Sequence, residues 1–129
     1  MKSLLDTNAY TALFRGQENT FNTVMNASEV YLSTIVIGEL RAGFKGGKRT
    51  KQNEEALVQF LQTPHIKVVS VSDYTADIYA DIKHKLRRKG KLIPVNDVWI
   101  VAHTLEVGAT LVTADKHFQY VSGLRLQKP

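Results

Sequence analysis

Apolar residues along this chain fall into short runs that alternate with longer stretches of helical spacing. Leu4-Leu5 reads as the end of a short buried strand, and it stops abruptly at Asp6-Thr7-Asn8. Ala9–Arg15 predicts a few helical turns ending at Gly16. Gln17–Ala27 carries Phe21, Val24 and Met25 at i, i+3 and i+4, the pattern of a second helix. Val30–Ser33 is a second strand, and Thr34–Ala42 a helix capped by Ser33 or Thr34 and ended by Gly43. Gly43–Lys51, with its glycines and basic residues, predicts a flexible loop or hairpin. Asn53–Leu61 is amphipathic, with Ala56, Leu57, Phe60 and Leu61 on one face, and Pro64 stops it. Ile66–Val69 is the third strand. Ser72 caps a long helix, Asp73–Lys89, with an inward stripe of Ala76, Tyr79, Ala80 and Leu86. Gly90 and Pro94 bracket a loop. Asn96 is the expected cap of a strongly apolar helix that begins at Asp97 and closes at Gly108. Thr110–Thr113 is the fourth strand and Gly123–Leu126 a short last one.

Strands alternating with helices imply an α/β fold, a parallel sheet covered by helices. A length of 129 residues suits one domain, residues 1–129, around one core. With 43% apolar residues the chain is not of the disordered class. No apolar run reaches the ~18 residues of a membrane span, and the start lacks the apolar core of a signal peptide, so the expected location is the cytoplasm and no membrane partner is expected. Without cysteine there is no disulfide, thiolate nucleophile or Cys-ligated zinc. A net charge of +5 is compatible with a nucleic-acid or acidic-protein partner.

Four acids stand out. Asp6 follows the first strand, Glu39 lies inside an apolar helix, Asp97 opens a helix, and Asp115 follows the fourth strand. In open parallel sheets ligands bind outside the carboxyl ends of the strands, where the helices that follow also begin. Asp6, Asp97 and Asp115 can converge there, and Glu39 joins them if its helix packs beside the first strand. Each also has an ordinary reading. Asp6 or Asn8 suits a helix cap, Asp97 a first helical turn, and Asp115 a turn. Glu39 is harder to dismiss, because Glu is rarely buried unpaired. Converging carboxylates repel by ~4 kcal/mol per pair at ~4 Å and an effective dielectric of 20. They stay ionised only with a cation, and oxygen ligands suit Mg²⁺ or Mn²⁺. Such ions orient a phosphodiester and activate water for in-line attack.

Taken together, Leu4-Leu5-Asp6-Thr7-Asn8, Gly38-Glu39-Leu40, Ile93-Pro94-Val95-Asn96-Asp97 and Leu111-Val112-Thr113-Ala114-Asp115 with His117-Phe118 resemble the PIN-domain ribonucleases, and among them the VapC-type toxins of toxin–antitoxin pairs. The resemblance spans essentially the whole chain. It implies a three-layer sandwich with strand order 3-2-1-4-5 and helices on both faces. It implies a Mg²⁺- or Mn²⁺-dependent endoribonuclease with one or two ions, whose catalytic and metal-binding acids match Asp6, Glu39, Asp97 and Asp115. Asn8, Asn96 and Thr113 match polar residues that orient the metal ligands or water. A homodimer, a cognate antitoxin, and translation arrest by cutting structured RNA such as tRNA or rRNA are implied with it. The chain departs from many relatives in carrying His117 where they have a further acid. Fewer carboxylates weaken the case for two permanently held ions. His117 reads as a phosphate contact, a proton carrier or a surface residue with no role, and His103 receives no role.

Two basic groups accompany the acids, Lys45/Lys48/Arg49/Lys51 and Lys85/Arg87/Arg88/Lys89/Lys91. They suit a solvated face or contacts with an RNA backbone; Lys48, Arg49, Arg87, Arg88 and Lys89 are the candidate RNA contacts. Tyr10, Phe14 and Phe44 suit core packing or a partner surface. Three rival functions fit parts of the pattern. A phosphorylated receiver domain needs an Asp at the end of the third strand, where this chain has Val69-Ser70-Val71-Ser72. A catalytically silent PIN module has no need of four clustered acids. An RNA-processing PIN nuclease shares all the site chemistry with a toxin.

Overall fold

The computed structural model describes residues 1–129. Four strands and six helices alternate along the chain before a 3₁₀ turn and a last strand: β1 Lys2–Leu5, α1 Thr7–Phe14, α2 Glu18–Asn26, β2 Glu29–Ser33, α3 Thr34–Lys45, α4 Thr50–Leu61, β3 Ile66–Val69, α5 Asp73–Lys89, α6 Val95–Val107, β4 Thr110–Val112, a 3₁₀ turn Lys116–Tyr120, and β5 Leu126–Gln127. The five strands form one parallel sheet in the order β3-β2-β1-β4-β5, the α/β sandwich that the sequence pattern predicts. β1 is central. Leu4 pairs with Tyr31 on one side and Leu111 on the other, and Leu5 with Val112. A strand flanked on both edges and covered on both faces must be continuously apolar, and Leu4, Leu5, Leu111 and Val112 are all fully buried. No helix is long and apolar enough to cross a membrane.

Local chemistry explains most element ends. The Ser33 hydroxyl accepts the Ile35 N–H at 3.0 Å and so starts α3. Ser72 and Thr75 form a reciprocal capping box at the start of α5. Gly108, at φ +69°, reverses the chain after α6 directly into β4, a conformation an L side chain resists.

Several boundaries differ from expectation. Gly43 does not end α3. The helix runs on to Lys45, and the Thr50 hydroxyl takes up the Phe44 carbonyl at 2.6 Å. The basic loop thereby shrinks to the turn carrying Lys48 and Arg49, while Lys45 and Lys51 lie within helices. α6 starts at Val95 with Pro94 as its cap, which leaves Asn96 free to act elsewhere. Ala80 of α5 is exposed. The inward face is Thr75, Ile82 and Leu86, with Ile78 and Tyr79 partly buried beside the core.

α5 and α6 pack antiparallel. Thr75 near the start of α5 donates its hydroxyl to Glu106 near the end of α6, and Tyr79 stacks on Trp99 with centroids 3.9 Å apart. The carboxyl end of α5, with Arg87, Arg88 and Lys89, therefore lies at the end of the molecule where α6 begins with Asp97.

His103, in the middle of α6, is fully buried, and its Nδ1 lies 2.9 Å from the Ser33 hydroxyl oxygen while Nε2 has no partner. Burial pushes the imidazole below its ordinary value near 6.5, against a smaller opposing effect of Glu106. The fold holds it neutral, so stability is complete above that value. As pH falls through it the unfolded chain takes up a proton first, at a cost of up to about 1.4 kcal/mol per pH unit until the folded group titrates. Denaturant midpoints measured from pH 7.5 to 5 should show this slope in the wild type and lose it in His103→Gln. Equal slopes would remove His103 from the acid sensitivity.

Candidate active site

Asp6 stands one residue beyond β1, at the carboxyl edge of the sheet, and is only 5% exposed. It caps α1: Oδ1 accepts the Ala9 N–H at 2.8 Å, and Oδ2 accepts the hydroxyl of Thr113. Thr113 stands one residue beyond β4, the strand beside β1, so parallel pairing brings the two together. The same Thr113 oxygen accepts the backbone N–H of Asp115 at 2.9 Å. One buried hydroxyl thus ties Asp6 to Asp115. Asp115 in turn caps the 3₁₀ turn, its Oδ1 accepting the His117 N–H at 2.9 Å.

A second chain of contacts runs through Glu39 on α3. Its Oε1 accepts the Thr7 hydroxyl at 2.7 Å, and its Oε2 faces Asn96 Nδ2 at 3.4 Å. Thr7 follows Asp6, and Asn96 precedes Asp97 in the first turn of α6. Asp97 is half-buried, and the His117 Nδ1 reaches it at 3.6 Å and Asp115 at 3.1 Å.

The electrostatics agree with this geometry. Burial pushes the Asp6 carboxyl above its ordinary value; hydrogen bonds from Thr113 and Ala9 oppose that, and repulsion from Asp115 and Glu39 adds to it. Burial, then repulsion from Asp115, pushes Asp97 up; the His117 contact opposes this and Glu39 adds to it. The four acids therefore share one field. Asp97, Asp115 and His117 each place a donor atom within 4.8 Å of the others, a spacing that fits one divalent cation. The oxygen-rich donor set, costly without a counter-charge, fits a hard cation.

Two residues enter this network that the sequence pattern did not place in it. Thr7 holds Glu39, and His117 bridges Asp97 and Asp115. The signal for Thr7 was its position beside Asp6. Asn8 is exposed and makes no side-chain hydrogen bond to the acids. Of the basic residues, Lys89 is tied to the segment after Asp115, its Nζ donating to the Tyr120 carbonyl at 3.0 Å and to Ser122 Oγ at 2.9 Å. Arg87 and Arg88 are exposed beside it, while Lys48 and Arg49 sit on the α3–α4 turn. Tyr10, buried, stacks on Phe14 at 4.5 Å and meets Phe60 edge-on, and Phe14 is half exposed, an aromatic surface open beside the groove that Phe44 and Arg49 line.

Residues 3–124 match the model of the PIN domain family. The chain is 29% identical to ribonuclease VapC2 of Rickettsia felis over 84% of its own length and 81% of that protein's. It is equally similar, 29%, to ribonuclease VapC2 of Haemophilus influenzae over 98% and 97%. Among solved structures, the VapBC2 complex of Rickettsia felis bound to a DNA fragment from its promoter contains a chain that superposes with a TM-score of 0.86 at 28% identity, covering 99% of this chain and 98% of that one.

Proposed function

The chain belongs to the PIN-domain family, and from that premise we propose that it is a divalent-metal-dependent endoribonuclease, the toxin of a toxin–antitoxin pair. The observation that carries the proposal is the meeting of Asp97, Asp115 and His117 at the carboxyl edge of the sheet, with Asp6 linked to Asp115 through Thr113, and Glu39 bonded to Thr7 and Asn96, the neighbours of Asp6 and Asp97. The relatives named ribonuclease VapC and the VapBC complex support the same reading. Asp6, Glu39, Asp97 and Asp115 would hold one or two ions. When bound there, Mg²⁺ or Mn²⁺ supplies Lewis-acid polarisation of a phosphodiester and a more acidic water.

The chain's own residues do the rest. Thr113 holds Asp6 Oδ2 while the Ala9 N–H holds Oδ1, and it aligns the Asp115 backbone, whose carboxylate is held in turn by the His117 N–H. Thr7 and Asn96 restrain Glu39 from two sides. Arg87 and Arg88, exposed at the same end of the molecule as Asp97, would take phosphates flanking the cut, and Lys89, already bonded to Tyr120 and Ser122, would add only its remaining donor. The substrate class is structured RNA, tRNA or rRNA, whose loss stops translation. A cognate antitoxin restrains the activity by covering the cleft, and the toxin acts as a homodimer.

The test is digestion of a mixed pool of tRNA and rRNA with added Mg²⁺ or Mn²⁺, against a parallel reaction in EDTA. Discrete fragments that disappear in EDTA are expected. Intact RNA with either metal would overturn the nuclease reading in favour of a silent binding module. In the same preparations, Arg87→Glu/Arg88→Glu should weaken RNA binding and flatten its salt dependence by roughly 0.7 (single-stranded contacts) to 0.9 (duplex contacts) in log–log slope for each phosphate that is no longer neutralised. Unchanged binding across salt concentrations would remove these residues from the interface.

A further inference from the structure

One donor in the cluster is not a carboxylate. The His117 Nδ1 lies 3.1 Å from Asp115 Oδ1 and 3.6 Å from Asp97 Oδ2. The three donor atoms lie within 4.8 Å of one another. Around an octahedral ion with bonds of about 2.1 Å, adjacent donors are about 3.0 Å apart and opposite ones about 4.2 Å. The two separations measured from His117 Nδ1 fall within that range, and the two carboxylates complete a group no wider than 4.8 Å.

The backbone that carries the ring is fixed by its surroundings, while the ring itself stays half exposed. The His117 backbone N–H is bound to Asp115 Oδ1, which starts the 3₁₀ turn, and the next residue, Phe118, is buried in the core. Asp97 approaches from the first turn of α6, an element separately anchored by its apolar face. The histidine is thus carried to the acids by the same turn that carries Asp115. Neutral imidazole presents either an N–H or a lone pair at Nδ1, according to its tautomer. The atom that carries the proton in one tautomer is a metal donor in the other.

Resting on the metal-dependent reading above, we propose that His117 is a direct metal ligand through Nδ1 and that it makes this site select Mn²⁺ over Mg²⁺. Mg²⁺ dehydrates reluctantly and favours oxygen donors in a strict octahedron. Imidazole suits the transition ions, whose affinities for nitrogen-containing sites rise from Mn²⁺ upward. Mn²⁺ is the informative comparison with Mg²⁺, because it accepts the same oxygen-rich, six-coordinate surroundings. A carboxylate in place of His117 would favour the harder ion.

The experiment is pulsed electron paramagnetic resonance of Mn²⁺ added to the purified full-length protein, with calorimetric titration of Mn²⁺ and of Mg²⁺. The wild type is expected to show nitrogen coupling to Mn²⁺, and His117→Ala to show none. The Mn²⁺/Mg²⁺ affinity ratio should fall by about tenfold or more in His117→Ala, chiefly through Mn²⁺. His117→Asp should move the preference toward Mg²⁺. Circular dichroism of both variants confirms that they are folded. Mn²⁺ bound without nitrogen coupling in the wild type would overturn the assignment of His117 and leave the acid site standing. Failure of the wild type to bind either ion would overturn the metal-dependent reading itself, and this inference with it.

Discussion

Asp6→Asn is expected to lower RNA cleavage by about 10³-fold or more while leaving the metal-free protein as stable as the wild type or more so. The two expectations come from one geometry. Asparagine is nearly the same shape and is a good helix cap, so its Oδ1 can accept the Ala9 N–H as Asp6 does. Its amide can donate to Thr113 in place of accepting from it. What is lost is the negative charge. That charge is held against burial and against repulsion from Asp115 and Glu39, which is why the carboxyl is pushed above its ordinary value. A carboxyl raised in this way weakens the fold as pH climbs from its ordinary value near 3.8 through the raised one, and the deficit persists at neutral pH. An amide carries no such deficit. Thermal midpoints in EDTA at pH 7 should therefore be equal or higher in the variant. Added Mg²⁺ or Mn²⁺ should raise the midpoint of the wild type more than that of the variant, as expected for a ligand that binds only the native state. Near-normal cleavage by Asp6→Asn would remove Asp6 from the chemistry and return it to the role of a cap.

The carboxyl edge was legible because apolar runs end there in acids. Leu4-Leu5 before Asp6 and Leu111-Val112 before Asp115 announce both the strands and the residues just beyond them. The caps at Ser33 and Ser72 were legible for the same local reason. Contacts between distant segments were not. Thr7 meets Glu39 across 32 positions of sequence, and nothing in the spacing of either announces the other. The sequence marked His117 as standing where many relatives have an acid but left its role open, and its contact with Asp97 came only with the 3₁₀ turn. Helix ends failed where tertiary packing outweighed propensity. Gly43 suggested a stop, but a Cβ there would meet nothing within 4 Å, and Phe44 beyond it packs against the core and prolongs α3. In α5 the alanines drew the inward stripe toward Ala80, whereas Thr75, Ile82 and Leu86 make the buried face. The last strand shifted to Leu126–Gln127, because Leu111 pairs with Leu126 and Arg125 turns its guanidinium back to the Gly108 carbonyl at 2.8 Å.

Thr113→Val tests whether the site depends on one hydroxyl. Valine keeps the shape and removes both hydrogen bonds that the threonine side chain makes. Asp6 Oδ2 then loses its donor, and the Asp115 N–H loses its acceptor. Thr113 is nearly buried, so water cannot simply replace the missing group. A missing hydrogen bond to a buried charge and an orphaned backbone donor together should cost about 2–3 kcal/mol. For a domain of this length that corresponds to a fall of roughly 8–12 °C in thermal midpoint. The change opposes that of Asp6→Asn, because here the charge stays and its partner goes. The Asp6 carboxyl should be pushed further up, since Thr113 gives the larger of the two hydrogen bonds that hold it down. Cleavage should fall by about 10–100-fold, the usual cost of removing a group that orients a metal ligand. Thr113→Ser keeps the hydroxyl and should recover most of both losses, which separates the hydrogen bonds from the packing of the methyl group. A valine variant as stable and active as the wild type would mean that Asp6 and Asp115 are positioned by the strands alone.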